Sequence, residues 1–167
     1  MPKFTEPNYN IKSLTIRNAH VRYRNFGGGR YGREITLLID DPEIAQEMAN
    51  DGWPVRTIIP EDPKFDPRYQ MRVAISFRDR EGHIFDENDT RLPHVYMCTR
   101  KRKHELNEDT IARLDRAELD KVDLTIRARW WENEEGWHIK AFLSRLYATI
   151  CEDDLDAEYA EQECPEE

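Results

Sequence analysis

The chain is short of the groups from which most catalytic and metal centres are built. Its histidines, His20, His83, His94, His104 and His138, are scattered, and its cysteines, Cys98, Cys151 and Cys164, stand far apart. Neither a His-x-x-x-His nor a Cys-x-x-Cys pair occurs, so a zinc ion would have to gather its ligands from remote loops. No serine sits in a nucleophile elbow. The glycine cluster Gly27-Gly28-Gly29-Arg30 lacks the Gly-Lys-Ser/Thr ending of a phosphate-binding loop and joins two strands instead of opening a helix. No cofactor is expected. An odd number of separated cysteines fits reduced thiols better than a disulfide framework, and Cys98, in a strand-like run, reads as a buried thiol. No apolar run approaches the length of a membrane span, and Met1-Pro2-Lys3-Phe4 opens without the apolar stretch of a signal peptide, so a cytoplasmic protein is expected.

Basic residues are missing from one end. Residues 151–167 contain nine Asp or Glu, among them Glu152, Asp153, Asp154 and Asp156, and no Lys or Arg, whereas residues 1–150 hold 25 groups of each sign. The formal charge of −9 therefore belongs to the tail. The division predicts one folded domain over 1–150, large enough for a real core, and an acidic tail over 151–167. Such a tail can compete for a basic surface on the domain, present itself to a basic partner, or keep the protein in solution.

The patterns that are present are mostly those of strands. A first long strand is expected around 12–24, broken near Asn18–His20, with a second, Arg33–Ile39, returning from a glycine-rich connection. Asp40 or Asp41 can cap a helix with Pro42 at its first position, Ile44 and Met48 on one face, and Asn50-Asp51-Gly52 at its end. Val55–Ile59 reads as a short strand. Met71, Val73, Ile75 and Phe77 alternate with polar residues, as in a half-buried strand. His94–Thr99 is another strand, and a short helix is expected around Glu108–Leu114. In the penultimate strand Val122, Leu124, Ile126, Ala128 and Trp130 share one face, with Lys121, Arg127, Arg129 and Trp131 on the other. In the last, Trp137, Ile139, Ala141 and Leu143 share one parity, but Phe142, Leu146, Ala148 and Ile150 take the opposite one, which calls for a bulge near Leu143–Arg145. Five or more strands with polar faces and no strand–helix alternation indicate a mainly β fold: an OB-fold-like small barrel with short helices between strands. An open α+β sheet is the alternative.

Bases freed from pairing offer π-faces to aromatic side chains while their phosphates attract a basic track, and the chain interleaves these two residue types. The first hairpin carries Arg22, Tyr23, Arg24, Phe26, Arg30 and Tyr31; the penultimate strand carries Arg127, Arg129 and Trp131; and Arg100, Lys101, Arg102 and Lys103 form the densest positive run. Tyr23 suits either a barrel-end packing role or stacking. Trp53 and Trp130 read as core, and Trp131, which shares parity with two arginines, as a platform. The acidic pairs Asp40/Asp41 and Asp79/Glu81 and the triplet Asp86/Glu87/Asp89 lie in turn-like stretches, where solvated loops are the simpler account than a two-metal nuclease centre.

The early Tyr23-Arg24-Asn25-Phe26-Gly27-Gly28-Gly29 run returning through Tyr31 to Ile35–Ile39, the late Val122–Trp131 strand joined by a short turn to Trp137–Ile150, and the acidic end together resemble the single-stranded-DNA-binding proteins of tailed phages. The resemblance covers about 130 residues and implies an OB barrel that coats exposed strands during replication and recombination in the cytoplasm of an infected bacterial cell, without catalysis. It also implies a tail that contacts phage or host replication proteins. This tail ends Cys164-Pro165-Glu166-Glu167, without the terminal aromatic that many such tails carry. Two other readings stand beside it: a metal-dependent phage nuclease, and a phage protein-interaction module acting on a host factor.

Overall fold

The computed structural model describes residues 4–28 and 32–151; the tail residues Glu152, Asp153, Asp154 and Asp156 and the loop residues Arg30 and Tyr31 lie outside the described residues. The strands are β1 (Ser13–Ile16), β2 (His20–Asn25), β3 (Arg33–Ile39), β4 (Arg56–Ile58), β5 (Arg68–Ile75), β6 (His94–Cys98), β7 (Lys103–Leu106), β8 (Leu119–Asn133) and β9 (Gly136–Ile150), with helices α1 (Pro42–Asp51) and α2 (Arg113–Arg116) between them. They form one sheet of order β1-β8-β9-β5-β3-β2; β4 adds to β5, and β6 pairs with both β7 and β9. The β5–β9 and β6–β9 pairings are parallel and the rest antiparallel.

The two ends of this path, β1 and β2, are consecutive in the chain. They are the two halves of the expected first strand, which turns a corner at Asn18, where φ is 50°. The corner is fastened to β8: Asn18 N donates to Asp123 Oδ1 at 2.8 Å and Ala19 N to the Val122 carbonyl at 2.7 Å. The result is the mainly β, OB-like fold expected, although the ladder does not run round into a full ring.

The β8–β9 hairpin is the backbone of the molecule, and its kink is written in the sequence. Thr125 pairs with Arg145 but Ile126 with Leu143, so Ser144 is the extra residue of a bulge. That shift lets Ala141 and Leu143 before it, and Leu146 and Ala148 after it, all enter the core despite their opposite parities. They meet Ile35, Leu37, Met71 and Val73 from the neighbouring strands.

Helix α1 starts where Asp41 accepts a hydrogen bond from Glu43 N and Pro42 fills the first position, and it stops at Gly52, φ 108°. A Cβ on Gly52 would press on Trp130, Ile139 and Phe4 at 3.0–3.3 Å, so glycine is required for packing as well as for φ. The buried pair on α1 is Ala45 and Met48, while Ile44 is 49% exposed, which corrects the Ile44/Met48 face. Two further corrections concern 100–116. The basic run is the turn of a β6–β7 hairpin whose second strand the sequence pattern does not reveal, and α2 begins at Arg113, later than expected, because Asn107 first organises a turn by accepting from Asp109 N and Thr110 N. Cys98 is only half-buried; that burial still pushes its thiol pKa up.

Candidate nucleic-acid interface

Residues directly opposite in a ladder project to the same face. Because Val122, Leu124 and Ile126 point into the core, the alternate residues of β8 form the outer face. From the hairpin tip, Trp131 lies opposite His138, Arg129 opposite Lys140 and Arg127 opposite Phe142; beyond the bulge Thr125 faces Arg145 and Asp123 faces Tyr147. Strand β6 extends two of these rows by placing His94 beside Arg145 and Tyr96 beside Tyr147. Along the same edge of β9, the one opposite β8, the Phe142 row continues through Ala74 of β5 to Glu34 of β3. Aromatic and cationic side chains therefore alternate along one outer strip.

The contacts within the strip are rings and cations. Trp131, 43% exposed, leans on His138 with centroids 4.8 Å apart. The Arg127 guanidinium carbon lies 4.7 Å from the Phe142 centroid and Lys140 Nζ 5.2 Å from it, so two cations cap one ring. Further along, Tyr96 and Tyr147 are stacked at 4.9 Å with planes 12° apart, and Lys103 Nζ sits 4.9 Å from the Tyr96 ring. Burial pushes the Tyr96 phenol pKa up, keeping it neutral. The 76–93 connection edges the strip: Arg91 stacks 4.5 Å over Phe85 and is bonded to Asp89 at 2.8 Å, which holds the Asp89 carboxyl down at about 2. Arg127 is the strained member. Burial first, and then the charges of Arg129 and Arg91, lower its pKa, and its buried Nε has no hydrogen-bond partner among the described residues. A half-buried cation beside two others, its neighbouring carboxylate Asp89 already bonded to Arg91, is suited to attract a further anion.

The expected site residues separate into three groups. Arg127, Arg129, Trp131 and Lys103 lie on the strip. Arg22 is exposed on the outer face of β2, in a row with Thr36 and Arg72; Arg100 and Lys101 are exposed at the β6–β7 turn and Arg102 is half-buried there. Tyr23 is 73% exposed at a β-bulge with φ 51°, a conformation bulky residues rarely adopt, so the fold holds its ring outward at a cost. Two residues are structural. Arg24 Nη1 donates to the carbonyls of Leu114 and Ala117 at 2.8 and 2.7 Å, fastening β2 to α2. Phe26 is 1% exposed in the core, so it offers no stacking face. Trp53 is buried and Trp130 packs edge-on against Phe4, as core residues.

Phe142, Lys140, Arg145, Tyr147 and Tyr96 were not singled out in the sequence. Counting back from the two-residue turn Glu134-Glu135 would have found the first two, since that turn fixes Phe142 opposite Arg127 and Lys140 opposite Arg129. Of the carboxylates considered for a metal, Asp79 and Glu81 converge with His83, their ligand atoms within 4.8 Å of one another. Asp79 Oδ1, however, already accepts from Glu81 N and His83 N at 2.9 Å each, the bonds of a polar turn, and the His83 N–H bond in particular lowers the Asp79 pKa.

A mainly β domain with an outer strip of aromatic and basic side chains defines a single-strand-binding OB-like module. Residues 5–167 match the family model described as "Putative phage ssDNA-binding domain", and the chain belongs to that family. It is a phage-type single-stranded-DNA-binding protein. Its fold is similar to that of the single-stranded DNA-binding protein from bacteriophage Enc34, with a TM-score of 0.51 and 14% identity over 92% of each chain. It is likewise similar to that protein in complex with ssDNA, with a TM-score of 0.51 and 15% identity over 90% of this chain and 97% of the other. At such identities the likeness is one of fold. No curated protein matches the chain. Among the described residues no helix is long and apolar enough to cross a membrane.

Proposed function

We propose that the folded domain, residues 1–150, binds single-stranded DNA along the outer strip of β8, β9, β6 and β7, coating strands exposed during phage DNA replication and recombination in the cytoplasm of an infected bacterial cell. The observation that carries this reading is Arg127, half-buried against Phe142 and beside Arg129 and Arg91, with its Nε unpartnered among the described residues. Phosphates add negative charge beside a cation whose neighbouring carboxylate, Asp89, is already bonded to Arg91, and bases bring π-faces to Trp131, Tyr147 and Phe142. Arg22, Tyr23 and the 100–103 turn extend the track to either side. A titration of fluorescent oligonucleotides, single- against double-stranded and across salt, tests it: preferential, salt-sensitive binding of single strands is expected, and no binding at low salt by intact and tail-deleted protein overturns it.

The reading is non-catalytic: in the best-converged group, Asp79, Glu81 and His83, the Asp79 Oδ1 is already committed to turn hydrogen bonds. Metal-dependent cleavage of single strands, abolished by Asp79→Ala, would replace it with the nuclease. The tail, residues 151–167, carries nine carboxylates tethered to the domain and competes with phosphate for the same strip, or recruits replication proteins. Deleting residues 152–167 is expected to tighten DNA binding most at low salt, where charge is least screened; equal affinity across salt would leave recruitment as its role.

A further inference from the structure

Beside the basic strip lies a groove of opposite character. It has a volume of about 860 Å³, between the 78–93 connection and the segment that runs from β7 into the turn before α2. Its apolar lining includes Phe77, Phe85, Leu92, Pro93 and Leu106, with Ile84 at the lip. Phe77 and Leu106 are buried, but Ile84 is 57% exposed, unusual for a large aliphatic side chain in so polar a loop. Glu87 on one wall and Glu105 and Asp109 on the other are exposed carboxylates.

The basic side chains lining this groove, Arg78 and His94, are already engaged. Arg78 spans one end in a two-pronged pair with Glu108, Nε to Oε2 at 2.8 Å and Nη2 to Oε1 at 2.7 Å, and His94 Nδ1 is 3.1 Å from Glu105 Oε1 at the other. The groove thus presents negative walls around an apolar floor. Neither DNA nor the chain's own acidic tail suits it, since both would bring more negative charge. The volume lies in the range of clefts that bury a drug-sized ligand.

The geometry points to this groove as a docking site for a basic segment of a partner protein, in which Lys or Arg side chains meet Glu87, Glu105 and Asp109 while an apolar side chain enters between Ile84 and the floor. Apolar anchors give such contacts their affinity, and the flanking charges give orientation and rate. The groove meets the strip at His94, in the Arg145 row, and at Glu105, opposite Tyr96, while Ile84, Glu87 and Asp109 lie outside the strip's ladder rows, so a DNA-coated protein is expected to retain the docking contacts there.

A random-peptide library on beads, panned against the full-length protein with and without saturating oligo(dT), tests this. Enriched peptides are expected to combine Lys or Arg with an apolar residue and to bind whether or not DNA is present. In fluorescence anisotropy an enriched peptide is expected to lose about tenfold in affinity with Glu87→Lys/Asp109→Lys, and similarly with the surface change Ile84→Asp, while affinity for oligo(dT) is retained. Cationic peptides drawn to the acidic tail instead would stay bound in the groove variants, which separates the two sites. Binding unchanged by the substitutions, no enrichment over beads alone, or enrichment of acidic or purely polar peptides would overturn the proposal. Loss of oligo(dT) binding by the wild-type protein would instead count against the DNA reading and leave the groove standing.

Discussion

The guanidinium carbon of Arg127 stands 4.7 Å above the Phe142 ring, and the two side chains occupy directly opposed positions on β8 and β9. Lys140 approaches the same ring, which is consequently only 8% exposed although it lies on the outer face of the sheet. The cations that cover Phe142 are those that phosphates would attract. On the proposed reading, phosphates that draw these cations aside uncover Phe142 as a stacking surface.

Replacing Phe142 by Leu keeps most of the apolar volume that packs against the sheet and removes the π-face. The expected outcome is a loss of about 1–3 kcal/mol in oligo(dT) affinity, the worth of one stacked base, with a melting temperature close to that of the wild type. Anisotropy titrations alongside thermal unfolding measure both. Unchanged affinity in a folded variant would mean that Arg127 and Lys140 stay in place over the ring when DNA binds.

Arg129 and Lys140 face each other one row nearer the hairpin tip, both exposed. Charge reversal of either is expected to weaken binding about equally for all sequences and to lower the slope of log affinity against log salt by about 1 for each phosphate that is no longer neutralised. Arg24→Ala provides the contrast: its guanidinium is committed to the Leu114 and Ala117 carbonyls, so stability should fall while the salt slope stays unchanged. A lowered salt slope in Arg24→Ala would place that residue on the DNA path after all.

Residues whose roles follow from a local period were legible in the sequence. The bulge at Ser144 followed from the parity switch in β9, the cap and stop of α1 from Asp41-Pro42 and Gly52, and the inward face of β8 from its alternation. What escaped was decided by tertiary pairing. Phe26 reads as an aromatic in a basic hairpin, but its backbone is drawn to α2 by Asp115, more than eighty residues away, and its ring follows into the core. Tyr96 and Tyr147 become a stacked pair only because β6 lies parallel to β9, a neighbour relation that no local pattern encodes. Arg24 and Arg127 look alike in sequence; one is held by helix-end carbonyls and the other faces a ring.

The Asp115 carboxylate holds the glycine-rich loop at its root, accepting from Phe26 N at 2.7 Å and Gly27 N at 2.8 Å. Asp115→Ala would leave two donors without their charged acceptor, one of them on a residue whose side chain is buried. A stability loss of about 1–3 kcal/mol is expected, read as a lower urea midpoint with an unchanged slope. A shift of less than a few tenths would show that solvent replaces Asp115 without penalty.

Acid should act on the 76–93 connection through Asp89. Hydrogen bonds from Arg91 hold its carboxyl at about 2, below its ordinary 3.8. A carboxylate with a depressed folded-state pKa contributes stability that is fully present above the unfolded value and is lost as pH falls through the folded one, here between 3.8 and about 2. Glu108, lowered chiefly by its hydrogen bonds to Arg78, adds a second contribution that begins to fade nearer its ordinary 4.5. Asp89→Asn cannot titrate, so the difference in melting temperature between wild type and variant is expected to be constant above about pH 5 and to shrink as pH approaches 2. Because the Asp89–Arg91 pair lies at the surface, with Arg91 exposed, the effect should be small and should weaken further with added salt. A difference that stays constant down to pH 2 would mean that the Asp89–Arg91 pair contributes nothing to the folded state in solution.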